Sequence, residues 1–194
     1  ASIEDILIPT EIDWLDLIPA NVDLIGAEVE LVALISRETR LSKALNGLDK
    51  IYKYILLDCP PSLGLLTVNS LTAAHSVIIP IQCEYYALEG LGQLMETLRL
   101  VRENLNPGLE IEGVVLTMFD GRLSLSSQVV EEVNRFFKQA VYQTKIPRNV
   151  RLAEAPGFGK PVILYSRDSK GAQAYLSLTR EFLRRNGVDI EEES

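Results

Sequence analysis

The sequence is poor in the residues that build covalent or metal frameworks: among 194 residues it has two cysteines, Cys59 and Cys83, and one histidine, His75. No CxxC pair is present to grip zinc, and two cysteines so far apart do not make a disulfide framework. Both are expected to be reduced, buried small residues. His75 has no second histidine and no neighbouring cysteine, so a helix-end or turn position is expected rather than a metal-ligand role. The single tryptophan, Trp14, and the pair Tyr85–Tyr86 are expected to pack rather than stack on bases. No stretch reaches the ~18 apolar residues that span a bilayer. The first 25 residues hold six acids and no base, the reverse of a secretory or transit leader. These absences point to a cytoplasmic protein. A phosphate cradle is missing as well: none of the 12 glycines opens the pattern Gly, four residues, Gly, Lys, then Ser or Thr. Gly157-Phe-Gly-Lys160 comes near it, but Pro161 follows the lysine and Glu154 stands at the first glycine position. Gly90-Leu-Gly92 fails GxGxxG because Met95 occupies the last glycine position.

What is present is an ordinary globular composition, 47% hydrophobic and 24% charged, which excludes a disordered or collagen-like chain. One domain over residues 1–188 is the expectation at this length, followed by an acidic tail over 189–194. The formal charge is −8, from 19 Lys+Arg against 27 Asp+Glu. The tail holds four acids, while Gln143 to Lys170 holds six bases (Lys145, Arg148, Arg151, Lys160, Arg167, Lys170) and two acids, a local balance of +4. An acidic total therefore does not exclude an anionic partner, because binding reads the local field.

Apolar runs of strand length alternate with stretches of helical period, the mark of an α/β fold with a largely parallel sheet. Leu15–Pro19 reads as a short strand, Gly26–Leu45 as a helix ended by Gly47, and Tyr52–Cys59 as a buried central strand stopped by Pro60-Pro61. Leu65–Ala74 is expected to be helical and Ser76–Gln82 a second buried strand. Ala87–Asn104 carries a clear apolar stripe from Leu88 to Leu105, read as core. Ile111–Thr117 and Val141–Ile146 are expected strands around a helix over Ser124–Ala140, and Ser169–Arg185 closes the chain as a helix.

Parallel sheets bind ligands at the carboxyl ends of their strands. Four loops qualify: Asp58–Gly64, Gln82–Gly90, Thr117–Arg122 and Ile146–Arg151. In the first, Asp58 ends an apolar run. A carboxylate there either supports Mg²⁺, often through water, or caps the turn that follows.

With these loops in view, the sequence resembles the chromosome- and plasmid-partitioning ATPases of the ParA/Soj type, relatives of the MinD group of deviant P-loop ATPases. The matching stretches run in order along nearly the whole chain: Ile18-Pro-Ala-Asn21, Gly26-Ala-Glu-Val-Glu-Leu31, Ile35-Ser-Arg-Glu38, the run Leu57 to Thr67 (LDCPPSLGLLT), the run Ile81 to Leu91 (IQCEYYALEGL), Gly113-Val-Val-Leu-Thr-Met118, Ile146-Pro-Arg-Asn-Val-Arg-Leu152 and Gly159-Lys-Pro-Val162.

The resemblance implies a three-layer, doubly wound, mostly parallel sheet of the P-loop NTPase kind, incomplete at its N-terminal side. Family members carry a strand and a lysine-containing P-loop ahead of the region matched here. The chain is therefore expected to lack roughly the family's first quarter, and so to be unable to hydrolyse ATP alone. By resemblance, Asp58 matches the family's Mg²⁺-side carboxylate, and Met118, Pro147 and Asn149 lie where family members hold adenine; ordinary loop packing is the alternative for these three. Glu84 falls in the loop that approaches nucleotide and partner subunit, or is a solvated loop carboxylate. Arg122 and Arg151 match positions that bind DNA without sequence preference, with Arg148, Lys160, Arg167 and Lys170 able to widen the patch or to stay solvated. The family pattern thus implies ATP and Mg²⁺ as cofactors, and non-specific DNA, a ParB-like protein and a second copy of the chain as partners. It implies no membrane and a location on the nucleoid in the cytoplasm. Rival readings are a nucleotide-independent DNA- or partner-binding regulator and a fragment without function of its own.

Overall fold

The computed structural model describes residues 3–84 and 90–188. They fall into two compact units, the first built from the stretch up to Ser76 and from Gln93–Glu110, the second from Val77–Gly92 and from Ile111 onward. The expected tail over 189–194, and Tyr85–Tyr86 with Leu88, lie outside the described residues.

In the first unit, β1 (Ile8–Pro9) and β2 (Asp16–Leu17) form a short antiparallel ladder. The hairpin between them places Trp14 at a left-handed φ of 66° with its ring 99% exposed. The expectation that Trp14 packs is corrected: so short a turn aims its central side chain away from the two strands.

The helix expected over Gly26–Leu45 is broken into α1 (Leu24–Val32) and α2 (Arg40–Ala44). Side chains supply the reason. Arg37 Nη1 donates to the Val32 carbonyl at 2.9 Å, satisfying an acceptor at the end of α1. Ser36 then turns left-handed, φ 53°. The buried amide of Asn69, on α3 (Leu65–Ala73), accepts from Leu41 N at 3.1 Å and donates to the carbonyls of Arg37 and Leu65 at 2.9 Å each. A buried amide that serves three backbone groups fixes the break in place.

Residues 52–59 are a second correction. Among the described residues they have no ladder partner and are not a strand; Leu56 is 83% exposed. An apolar run becomes a buried strand only where neighbours provide the ladder and cover its faces. Cys59 is exposed for the same reason, against the expectation that it is buried. The apolar stripe on α4 (Leu91–Asn104) does reach the core, with Leu98 and Val101 buried. Asn106 closes that helix by donating to the carbonyls of Leu71 and Ala74.

The second unit is organised on β4 (Glu110–Thr117), whose residues Gly113 to Leu116 are buried on both faces. The strand β3 (Ser76–Gln82) runs parallel to it, with Cys83 N donating to Thr117 O at 2.8 Å. Only one face of β3 is buried, through Ile79 and Ile81, whereas Ile78, Pro80 and Gln82 are exposed. Pro80 has no N–H to offer a further ladder, so it suits a strand with one paired edge. On the far side of β4, residues 141–147 follow in parallel through bridges Val114–Val141 and Phe119–Pro147. They make a looser strand than expected, because the donors to β4, Tyr142 N and Ile146 N, are four residues apart and the amides of Gln143 and Thr144 between them donate to the Glu181 side chain. Helix α5 (Ser124–Phe137) buries Val129 and Val133. Two short helices, α6 (Val150–Glu154) and α7 (Val162–Tyr165), lead to α8 (Lys170–Arg185), whose N-cap Ser169 Oγ accepts from Ala172 N at 3.2 Å. Ala174, Leu178 and Phe182 of α8 pack on a core of Val115, Tyr142 and Ile146. Among the described residues no helix is long and apolar enough to cross a membrane.

Candidate functional site

In the second unit, three parallel segments end side by side, and their carboxyl-end loops form one surface. The ladder continues past the strand ends: Phe119 N donates to Ile146 O at 3.0 Å and Arg148 N to Phe119 O at 3.1 Å. These bonds bring the loop carrying Met118 against the loop carrying Pro147 and Asn149. Met118 sits at a left-handed φ of 53°, a costly conformation for a residue with a Cβ, and it turns the chain sharply out of β4. Asn149 is the N-cap of α6: its Oδ1 accepts from Arg151 N at 2.9 Å, which leaves its amide NH₂ as the part able to meet a base.

Glu84, at the end of β3, forms an ion pair with Arg148, so the loops on either side of β4 are joined across its end. Ser126 Oγ donates to the Cys83 carbonyl at 3.2 Å, fixing the start of α5 against the same end. Burial pushes the Cys83 thiol up, so it stays protonated and unreactive.

Arg122 and Arg151, which the resemblance sets at DNA-contact positions, flank this surface, Arg122 held by a carboxylate of its own loop and Arg151 by one on the same short helix. The Arg122 guanidinium is 88% exposed and grips Asp120 with two bonds, Nε to Oδ1 at 2.9 Å and Nη2 to Oδ2 at 2.6 Å. Arg122 N also donates to Asp120 Oδ1 at 3.1 Å, an Asx turn that shapes the loop. The Arg122 side chain, then its backbone N–H, hold the Asp120 carboxyl down at about 2 against the opposing effect of burial, and the charge of Arg148 adds to them. Arg151 pairs with Glu154 at 2.8 Å, and Tyr165 donates its hydroxyl to the same carboxylate oxygen at 3.2 Å. The Tyr165 ring stacks on Phe158 at 4.9 Å. Arg148, Lys160, Arg167 and Lys170 are exposed. Reading the sequence for cations alone missed Asp120, Glu154 and Tyr165. The signals were available in the Asp-x-Arg spacing of an Asx turn and in the i,i+3 spacing of Arg151 and Glu154 on α6.

Asp58 belongs to the first unit, where it lies outside any helix or strand and is exposed. Among the described residues no group of three His, Cys, Asp or Glu side chains could enclose a metal. A single exposed carboxylate still fits Mg²⁺, which keeps most of its waters and takes one or two carboxylates together with phosphate oxygens.

Comparison with known proteins gives the family. A family model described as an AAA domain matches residues 1–111. The Bacillus subtilis sporulation initiation inhibitor protein Soj is 59% identical over 181 residues, covering 93% of this chain and 72% of that protein. The Myxococcus xanthus chromosome partitioning protein ParA is 57% identical over 184 residues, covering 95% of this chain and 65% of that protein. Among solved structures, the Mycobacterium smegmatis cobyrinic acid a,c-diamide synthase with bound ATP analog and magnesium superposes with a TM-score of 0.79 at 37% identity, over 95% of this chain and 68% of that one. The chain thus spans about two thirds to three quarters of the length of the proteins it matches.

Proposed function

The chain belongs to the Soj/ParA family of chromosome-partitioning ATPases, and from that premise we propose that it serves DNA segregation by coupling a nucleotide site to a weak, sequence-independent grip on DNA. In this reading Met118, Pro147 and Asn149 are the positions that would face the adenine, and Asp58 the one that would hold Mg²⁺ through water, when a phosphate cradle is present beside them. Arg122 and Arg151 meet DNA phosphates, and Glu84 stands beside the nucleotide and a second copy of the chain. A ParB-like partner, a homodimer and a place on the nucleoid in the cytoplasm follow from the same reading. The observation that supports it most is the shared surface at the strand ends, where the loops of Met118 and Pro147–Asn149 lie in register and exposed arginines flank them.

Bound Mg²⁺ supplies charge neutralisation on the phosphates. The chain's own part, in these residues, is to orient: a thioether and a proline ring give apolar faces to a base, and the Asn149 amide gives a donor. These 194 residues contain no Gly-rich, lysine-bearing phosphate cradle, and without one the phosphates lose most of their positioning. Titrating this chain with ATP and Mg²⁺ in a calorimeter is therefore expected to give no binding heat. Tight binding would mean that the strand-end loops hold nucleotide without a cradle.

The DNA contacts are tested by Arg122→Ala with Arg151→Ala. Each arginine that neutralises a phosphate contributes about 0.9 to the slope of log affinity against log salt. The double variant should therefore bind a random-sequence duplex more weakly at low salt, with a slope shallower by up to about 1.8, the full value being reached only where no carboxylate of the chain already answers the two guanidinium groups. An unchanged slope would remove both residues from the DNA surface. Contacts this few per copy give weak binding, so joining two copies should raise affinity well beyond either alone. No observation favours the nucleotide-independent regulator.

A further inference from the structure

Arg122 and Arg151, both exposed, each have their charge answered by a nearby carboxylate of the chain. Arg122 gives Asp120 the same Nε–Nη2 fork that it would give a phosphate, so both cannot be served at once. Asp120 is anchored where it is: its side chain is 14% exposed, against 88% for Arg122, and it also holds the backbone N–H of Arg122. Arg151 meets Glu154 through a single bond, Nη1 to Oε2 at 2.8 Å, and Glu154 is steadied by the Tyr165 hydroxyl.

We propose that Asp120 and Glu154 are a built-in brake on DNA affinity, each setting the strength of one arginine's contact by competing with phosphate for its guanidinium. The proposal rests on the reading that Arg122 and Arg151 meet DNA. An arginine already neutralised displaces little of the counterion atmosphere when it approaches a duplex, and it must leave one partner to take another. Exposed ion pairs are weak, so the brake yields where phosphates are dense and salt is low. A fixed carboxylate also orders its arginine, and in a site that read a particular base this ordering would raise affinity. Binding without sequence preference has no register to hold, so the sum of charge decides instead. For a protein whose grip depends on pairing of copies, a brake keeps one copy from staying on DNA by itself.

The test uses Asp120→Asn and Glu154→Gln, singly and together. Asparagine keeps the oxygen that closes the Asx turn, and glutamine keeps an acceptor for Tyr165, so neither change removes a structural bond. Binding to a random-sequence duplex is followed by fluorescence anisotropy across a salt series. Each substitution should tighten binding about threefold to tenfold at low salt and steepen the salt slope by up to about 0.9. The gain from Asp120→Asn should vanish in an Arg122→Ala background, and that from Glu154→Gln in an Arg151→Ala background; mere removal of a surface negative charge would leave both gains in place. Equal or weaker binding with an unchanged slope would overturn the brake and make the carboxylates supports for their arginines. If the arginine variants themselves bind as tightly as the parent, the underlying reading fails instead. If they bind more weakly while the carboxylate variants show no gain, only the brake fails.

Discussion

Tyr142→Ala is expected to cost about 3–5 kcal/mol of folding stability, measured by urea denaturation, because it removes the largest side chain that the second unit fully buries. The ring is 1% exposed and lies among Val115, Ile146 and the inner face of α8. It rests on bare backbone as well: a Cβ added to Gly113 would come within 2.4 Å of the Tyr142 ring. The Arg185 guanidinium covers the ring from another side, 4.0 Å from its centroid. Burial, then the nearby Glu112 carboxylate, push the phenol up to about 12, so the ring stays neutral at any working pH. Tyr142→Phe should cost less than ~1 kcal/mol, because the hydroxyl's bond to Glu112 is long at 3.4 Å. Gly113→Ala alone should cost about 1–3 kcal/mol by forcing a methyl into the ring. Much of that cost should disappear in the Tyr142→Ala background, and an equal cost in both would mean that the ring does not press on Gly113. The functional surface depends on the same residue. Tyr142 N bonds to Val114 O at 2.9 Å and Ile146 N to Leu116 O at 2.8 Å, and this ladder delivers Pro147, Asn149 and Arg151 to their positions.

Much of this unit was legible in the sequence because its signals are local. The four-residue buried run of β4, the period of α5 and α8, and the Ser169 cap are written in residues that neighbour one another. The first unit was less legible. The run over 52–59 has a strand's composition, yet composition does not supply a partner strand. The helix over 26–45 has a continuous apolar stripe, yet side chains of Arg37 and Asn69 end it from outside the stripe. At the site the residue types were readable and the pairings were not. Glu84 and Arg148 are separated by a long stretch of chain, and only the ladder of three parallel segments brings their loops together. Asp120 and Glu154 lie close to their arginines in sequence, but the balance of +4 over residues 143–170 does not reach Arg122 and counts Glu154 without pairing it, whereas the folded chain pairs both arginines.

Glu181→Ala is expected to cost about 2–4 kcal/mol, taking two charge-assisted hydrogen bonds at roughly 1.5–3 kcal/mol each, less what water restores. Its carboxylate reaches from α8 to the backbone of the neighbouring segment, accepting from Gln143 N at 2.8 Å and Thr144 N at 2.9 Å. It also pairs with Arg185, whose Nη2 donates to the Val141 carbonyl at 2.8 Å. Residues 143–144 lie in no strand among the described residues, so the helix serves those two N–H groups with a side chain. Burial raises the Glu181 carboxyl, but the two backbone amides and Arg185 outweigh it and hold it below the usual glutamate value of 4.5. A carboxylate depressed in the folded state stabilises fully above its unfolded pKa, and the contribution is lost as pH falls through the folded value. The parent and Glu181→Ala should therefore differ by a constant amount from neutral pH down to about 5, and the gap should close progressively below about 4. Glu181→Gln, which keeps an acceptor without a titrating charge, should fall between them at neutral pH and lack this acid-dependent loss. A gap that persists undiminished under acid would mean that Glu181 stabilises through packing rather than through its charge. If the gap closes as expected, the anchoring of α8 to the segment that leads to Pro147 and Arg151 is electrostatic, and mild acid should loosen the strand-end loops around Pro147 and Asn149 before the core around Tyr142 gives way.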